Sequence, residues 1–312
     1  MKWFYRLFNK KPKVIVVLGS TATGKTSLAV HLAQLFNGEV VSADSRQVYR
    51  GLDIGSAKVT TEEAKGIPHH MIDIVGPQDR YTVAQYVHEA TEVINDIIDR
   101  KRVPIICGGT GMYIDALVYG QMFPEVAPND TLRKQLEAQR EDDLFAELRR
   151  RDPDRAKIID PKNKVRLIRA LEIVESLGTV PEKKSRINYR PLFIGLDIPK
   201  EILNERIHQR IIDRLEDQDM LSEAKRLHTS GLSYDRMEEL GLEYRYMAKH
   251  LKGQLEYQDM INELSTATRQ FAKRQRTWFK RNKHIHWFNP LTDQELIKQK
   301  VARFLSKAWY HN

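Results

Sequence analysis

The sequence, 312 residues long, predicts an α/β fold in which one parallel sheet is interrupted by a helical insertion. Three observations predict it. Short β-branched runs at 14–18, 39–42 and 103–107 alternate with stretches of helical apolar periodicity, the pattern of strands joined by right-handed crossovers. From about 119 to 190 the strand-like runs vanish and only helical periodicity is left. At 191–197, Pro-Leu-Phe-Ile-Gly-Leu-Asp reads as a strand again. The expected division is a core of residues 12–118 and 191–312 with residues 119–190 inserted, in keeping with roughly 150 residues per domain.

Each element has a local reason. The strand 14–18 leads into a glycine-rich turn and then a helix with Leu28, His31, Leu32 and Leu35 on one face. Glu39 opens a second strand that ends at Asp44. Val87, Ala90, Ile94 and Ile97 mark a helix ahead of the strand 103–107, which runs into Gly108-Gly-Thr-Gly111. In the insertion, Asp130 is placed to cap a helix that carries Leu132, Leu136, Leu144 and Leu148 and stops before Pro153. A second helix runs from about 163 to 177, with Leu167, Leu171 and Val174 inward and Gly178 as its stop. The remainder is helical, including 259–281 and a terminal helix near 293–309; no repeat is visible.

Composition narrows the class. With 41% hydrophobic and 30% charged residues the chain can bury a full core, which excludes global disorder. The single cysteine, Cys107, excludes an internal disulfide framework and a thiolate zinc cluster, and fits a reducing compartment. It reads as a buried small residue, and His69 and His70, without further ligands at metal spacing, read as structural. No apolar run approaches the ~20 residues that span a bilayer. The N-terminal apolar stretch is broken by Arg6 and lacks a small-residue cleavage site, so it is not a secretory signal. A soluble, cytoplasmic protein without a membrane partner is expected. No long apolar surface helix demands a second subunit, so a monomer is expected too.

The net charge of +9 is not spread evenly. Residues 1–13 carry Lys2, Arg6, Lys10, Lys11 and Lys13 and no acid. Residues 265–288 carry Arg269, Lys273, Arg274, Arg276, Lys280, Arg281 and Lys283, again without an acid, which leaves the rest of the chain slightly acidic. Concentrated basic segments on such a body fit a polyanion, usually nucleic acid, or else solvated charged faces. On a helix, Arg269, Lys273, Arg276 and Lys280 form one stripe able to track phosphates, while Phe271 and Trp278 fall on another face and suit core packing.

Gly19-Ser20-Thr21-Ala22-Thr23-Gly24-Lys25-Thr26 matches G-x-x-x-x-G-K-[ST] between a strand and a helix. Backbone N–H groups of such a loop cradle phosphates at a helix N-terminus, Lys25 adds a point charge, and the Thr26 hydroxyl can ligate Mg²⁺. This makes the core P-loop NTPase-like. The strand 103–107 ends without the metal-organising aspartate of motor and switch ATPases. Asp44, at the carboxyl edge of the sheet, is placed to face the loop as a base toward an acceptor, or else caps a turn.

Taken in order, these blocks carry a resemblance. The phosphate loop, Ser42-Ala-Asp44-Ser45-Arg46-Gln47, Asp53-Ile-Gly-Ser-Ala-Lys58, Pro68-His-His-Met-Ile-Asp-Ile74, Gly108-Gly-Thr110-Gly-Met-Tyr113, Arg166-Leu-Ile-Arg-Ala-Leu-Glu172 and Thr268-Arg-Gln-Phe-Ala-Lys-Arg-Gln275 resemble the bacterial tRNA dimethylallyltransferase (tRNA isopentenyltransferase) family from about residue 14 to 288. The resemblance implies transfer of a dimethylallyl group from dimethylallyl diphosphate to the exocyclic amine of the adenosine 3′ of the anticodon. It implies that the loop residues Gly19 to Thr26 and Arg210 of Arg206-x-x-x-Arg210 bind diphosphate, with Thr26 near Mg²⁺. Asp44, assisted by Thr21 and Lys25, would be catalytic. Asp44, Ser45, Arg46, Gln47 and Thr110 would meet the target nucleotide. Arg133 and Val165, Arg166, Leu167, Ile168 and Arg169 would touch the anticodon arm, as would Gly241, Tyr244 and Arg245. Lys273, Arg274, Arg276, Trp278, Lys280 and Arg281 complete the implied tRNA contacts. Two positions depart from the family pattern: Ser20 stands where proline is common, and Glu243 where glycine is usual.

The chemistry suits these residue types. An aromatic amine is a weak nucleophile, so the protein must mainly help diphosphate depart and hold the partners in line. The adenine must leave its stack, which costs less in a single-stranded loop. Two other readings stay open on the sequence alone: a small-molecule or nucleotide kinase with Asp44 as base, and an RNA-binding protein without catalysis. The first leaves the insertion and basic stripe unused; the second leaves Asp44 and Thr110 unused.

Overall fold

The computed structural model of the chain describes residues 11–124, 126–182 and 187–306. Lys2, Arg6 and Lys10 of the basic N-terminal segment, and residues 307–309 of the expected terminal helix, lie outside the described residues. Six strands form one sheet: β1 (Lys13–Gly19), β2 (Gly38–Ser42), β3 (His69–His70), β4 (Val103–Gly108), β5 (Arg190–Leu196) and β6 (His286–Phe288). Their order is β3-β2-β4-β1-β5-β6 and every pairing is parallel. Ile15 of β1 sits between Ile105 of β4 and Leu192 of β5. Central parallel strands are covered on both faces, which is why β1 and β4 read as unbroken apolar runs rather than alternating ones. β3 and β6, two and three residues long, are too short to carry a period.

The early connections contain α1 (Lys25–Phe36), the single turn α2 (Thr61–Ala64), α3 (Val83–Asp99) and α4 (Gly111–Val118). Leu28 and Leu32 of α1 pack on Ile15, Val17 and Ile105; on the other sheet face, Tyr86 and Ile94 of α3 and Ile114 of α4 pack on Val16, Val41 and Ile106. A reciprocal capping box of Thr82 and Gln85 starts α3. Against expectation, His31 is exposed and Leu35 is 43% exposed. The helix lies on the sheet through the small Ala29 and Ala33, and that rotation turns Leu35 toward solvent.

The chain divides into two compact units, Gln121–Arg186 and the remainder. The former contains α5 (Asp130–Glu137), α6 (Glu141–Arg151), α7 (Pro153–Ala156) and α8 (Lys164–Leu177), around a core that includes Leu136, Leu144, Leu148, Leu167 and Leu171. The expected first helix is in fact two, α5 and α6, and the cap of α5 is Asn129, whose side chain accepts from the Leu132 amide. Asp130 is instead the first helical residue, where its charge favours the helix dipole. Glu172 is buried in this unit, ion-paired with Arg133 at 2.9 Å and with Arg169, and it accepts from the Asn129 amide at 2.6 Å.

The rest of the larger unit comprises α9 (Lys200–Glu216), α10 (Met220–Thr229), α11 (Tyr234–Leu240), α12 (Leu242–Leu251), α13 (Tyr257–Phe279) and α14 (Gln294–Ser306). The helices α9 to α13 share a core with Val48, Tyr49 and Leu52, built from Ile207, Met237, Met247 and Leu264 among others. The segment after β2 is thereby fastened to the C-terminal helices. Among the described residues no helix is long and apolar enough to cross a membrane.

One charge cluster ties the amino end of β2 to the end of α3. Glu39, 1% exposed, pairs with Arg100 and Arg102 and with His70 Nε2 at 2.7 Å. The Arg100 hydrogen bond foremost, with help from His70, holds its carboxyl at about 2 although burial opposes this. A carboxyl depressed on folding stabilises above its unfolded value, near 4.5, and loses that contribution as pH falls toward 2. Glu39→Gln is therefore expected to lower stability by about 3 kcal/mol at pH 7 in urea titrations. The gap from wild type should shrink between about pH 5 and pH 2. A gap independent of pH would contradict this.

Candidate active site

The carboxyl ends of β1, β2 and β4 open into a cavity of 1020 Å³, floored by the turn between β1 and α1. Gly24 can end that turn because its φ of +84° is a region that side chains disfavour. The backbone then enters α1 with its N-terminal amides facing the cavity. Thr21, Ala22, Gly24, Lys25 and Thr26 line the cavity, whereas Gly19, Ser20 and Thr23 lie behind it and fix the turn. Thr23 Oγ1 and Lys25 Nζ both donate to the Ser20 carbonyl, at 2.8 and 2.6 Å. Burial lowers the Lys25 ammonium to about 8, so an entering anion would favour its charged form.

The loops after β2 and β4 meet beside this floor. Ala43 N donates to Cys107 O at 2.8 Å, and Thr110 N donates to Ala43 O at 3.1 Å. A β-carbon on Gly108 would lie 2.2 Å from the Ala43 carbonyl oxygen, so only glycine permits the approach. Thr110 Oγ1 in turn accepts from Ser45 N at 3.1 Å. Asp44 lines the cavity between these contacts; its Oδ1 accepts from Arg46 N at 2.8 Å, and among the described residues nothing donates to Oδ2. Asp44 thus serves a turn with one oxygen and offers the other to the cavity. Cys107 is buried as expected, and burial pushes its thiol up to about 12, which leaves it inert.

Of the two arginines weighed on α9, Arg210 lines the cavity and Arg206 does not. Ser45, Arg46, Gln47, Gly241, Tyr244, Arg245 and Arg274 also line it. Tyr244 is 1% exposed, and its hydroxyl donates to Glu223 Oε1 at 2.8 Å. Gln47 is likewise engaged: it accepts from Ser42 Oγ and donates to Ala57 O. Lys273, Arg276, Trp278, Lys280 and Arg281 lie outside the cavity on the last turns of α13 and beyond. Arg276 is paired with Asp197 at 2.6 Å, Trp278 Nε1 donates to Asp115 at 2.8 Å, and Arg281 stacks over Trp278. Lys273 and Lys280 are exposed. In the smaller unit, Val165 and Arg166 are exposed, while Leu167 and Ile168 are core residues. Arg133 and Arg169 are held by Glu172.

Several site residues escaped sequence reasoning. Gln275 Oε1 accepts from Thr21 N at 2.8 Å while its Nε2 donates to Gly109 O at 2.9 Å, so one buried amide joins the phosphate loop to the loop after β4. Ser20, the departure from the proline pattern, donates its hydroxyl to Ala272 O on the same helix. Glu223 collects the amides of Asp53, Ile54 and Gly55 at 2.7–3.0 Å and fixes the cavity rim. Lys58 bridges Asp53 and Asp73, each at 2.5 Å. Arg214, a turn beyond Arg210, lines the cavity too, and its i+4 spacing was the available signal. His70 is structural, bound to Glu39, but His69 lines the cavity; its Nδ1 donates to Ile67 O, and its buried Nε2 has no partner among the described residues.

The donor set bears on a metal. Among the described residues no cluster of three or more His, Cys, Asp or Glu could hold an ion by itself. The Thr26 hydroxyl at the cavity fits Mg²⁺ of the kind that keeps several waters and takes its remaining oxygens from a bound phosphate ligand.

Comparison with known proteins agrees on one family. The sequence pattern of the IPP transferase family matches residues 47–282. A tRNA dimethylallyltransferase of Anoxybacillus flavithermus is 39% identical, over 94% of this chain and 95% of that one. A second, from Bacillus subtilis, is 38% identical over 94% and 96%. The crystal structure of a tRNA isopentenylpyrophosphate transferase from Bacillus halodurans superposes with a TM-score of 0.73 at 35% identity, covering 95% of this chain and 98% of that one. A eukaryotic dimethylallyltransferase acting on tRNA superposes at 0.80 with 29% identity, covering 95% and 80%.

The Gln275 bridge has a direct test. Gln275→Glu keeps the acceptor for Thr21 but sets a carboxylate oxygen against the Gly109 carbonyl. A loss of about 1–3 kcal/mol is expected in thermal or urea unfolding. Wild-type stability in that variant would mean that the bridge does not hold the two loops.

Proposed function

Because the chain belongs to the IPP transferase family, we propose that it is a tRNA dimethylallyltransferase, moving a dimethylallyl group from dimethylallyl diphosphate to the exocyclic amine of the adenosine 3′ of the anticodon. One observation carries the reading: a single cavity sets a phosphate loop, with Lys25 and Arg210, beside Asp44 and Thr110. The kinase alternative is weaker, since β4 ends in Cys107 and glycines, without a metal-organising carboxylate.

In this reading the amides of the phosphate loop, Lys25 and Arg210 bind the donor's diphosphate and stabilise the charge that grows as the allylic C–O bond breaks. Thr26 would hold Mg²⁺ there, which supplies further positive charge to the leaving group. Thr21 fixes the loop through the hydrogen bond that its backbone N–H donates to Gln275 Oε1. The amine nitrogen forms its bond to the allylic carbon, and Asp44 orients that amine and takes its proton; prenylated RNA and diphosphate are the products. Thr110 and Ser45 hold the wall against which the flipped base rests. Exposed Lys273 and Lys280, together with Arg166 and Val165 of the insertion, are the groups offered to the anticodon arm. The enzyme acts in the cytoplasm as a monomer.

The test is transfer of label from dimethylallyl diphosphate to an anticodon stem–loop in Mg²⁺. Asp44→Ala is expected to lower kcat by at least about a hundredfold with RNA affinity nearly unchanged. Equal loss of both would make Asp44 a binding residue only. Removing Lys273 and Lys280 together should flatten the slope of log affinity against log salt by about 0.7–0.9 for each phosphate no longer neutralised. Arg276, neutralised by Asp197, should contribute less. An unchanged slope would remove the stripe from the RNA path.

A further inference from the structure

Glu243, the second departure from the family pattern, is a carboxylate inside an anion site. It lines the cavity with Arg210 and Arg214 of α9 and, like them, is mostly buried. Leu242 precedes it at φ +37°, a left-handed conformation unfavourable for leucine, so the first turn of α12 is held in this position under strain. Glu243 Oε1 lies 3.5 Å from Arg214 Nη1, and the two side chains are 16% and 7% exposed. Arg210, one turn earlier on the same helix face, lies beyond ion-pair distance of any carboxylate among the described residues, and Glu243, Glu63 and Asp44 act on it only through space.

We propose that Glu243 is a positioning residue that holds Arg214 to the cavity wall and offsets its charge, leaving Arg210 as the free cation for diphosphate and keeping the diphosphate product releasable. The proposal rests on the reading that this cavity takes a diphosphate. Two adjacent uncompensated arginines in a half-closed site would bind that ligand as a clamp. The released product carries an ionisable oxygen that the ester donor lacks, hence more negative charge. A fixed carboxylate therefore disfavours product more than donor. Burial, then the like charge of Arg210, lowers Arg214 to about 10 while Glu243 acts in the opposite direction; burial in turn raises the Glu243 carboxyl, and Arg214 foremost among the charges favours its ionised form. The charged groups that act on Glu243 are Arg214 and Arg210 of α9 and Asp44 of the loop after β2.

The test is titration of the full chain with inorganic diphosphate, with and without Mg²⁺, by calorimetry. Glu243→Gln is expected to bind diphosphate about tenfold more tightly, because one unit of repulsion is removed at short range. Arg214→Gln, which leaves Glu243 unpaired, is expected to bind about tenfold more weakly. The double variant, with neither charge, should fall within about threefold of wild type, and it keeps the test open if either single variant fails to fold. A purely structural role for Glu243 predicts weaker binding in Glu243→Gln. That result, an unchanged Kd, or a double variant much weaker than wild type would overturn the proposal. Failure of the wild-type chain to bind diphosphate would instead overturn the diphosphate site itself, and this inference with it.

Discussion

The side chain of Gln275 hydrogen-bonds at once to the phosphate loop and to the loop after β4, and the site depends on that double attachment. The amide arrives on α13, more than 250 residues after the loop it holds. The bond to Gly109 is buried and the one from Thr21 part-buried, and at a buried site an unmade bond costs more than a formed one gains. The neighbouring Ser20 to Ala272 bond repeats the attachment. The sheet alone brings the strand ends together, but α13 sets the distance between the loop that floors the cavity and the wall that carries Thr110 and, through Ala43, Asp44.

Electrostatics of the cavity follow from burial. Lys25 and Arg214 are both lowered by desolvation, to about 8 and about 10, so an anion beside them would favour their charged forms. The acidic groups are distributed to limit this. Glu243 stands against Arg214, Asp53 and Asp73 hold Lys58, and Asp44 is tied on one oxygen by the Arg46 amide. The residues that bind and those that merely fix the walls are thus chemically alike, and only their partners separate them.

This explains what the sequence could and could not reveal. The α/β class and the phosphate loop were legible because buried parallel strands are continuous apolar runs and because G-x-x-x-x-G-K-[ST] needs a fixed strand–turn–helix setting. Arg210 was singled out only through the family resemblance, and the structure sets it on the cavity wall. Gln275 and Glu223 were not, since a neutral amide or a lone glutamate on a helix has no local pattern and their partners lie far away in sequence. The charge stripe was read from sequence spacing alone; Asp197 removes Arg276 from it, a pairing across 79 residues that no periodicity records. Leu35 misled because two alanines, not the leucine, set which face of α1 meets the sheet.

The proposed transfer requires one cavity to take both the leaving diphosphate and the acceptor amine. The most direct measurement is a single-turnover reaction of the full chain with an anticodon stem–loop and dimethylallyl diphosphate. The RNA is mapped by mass spectrometry to the modified nucleotide, and released diphosphate is counted in parallel. One prenyl group on the exocyclic amine of the adenosine 3′ of the anticodon is expected for each diphosphate released. Diphosphate release without RNA modification, or phosphate transfer from ATP in its place, would contradict it.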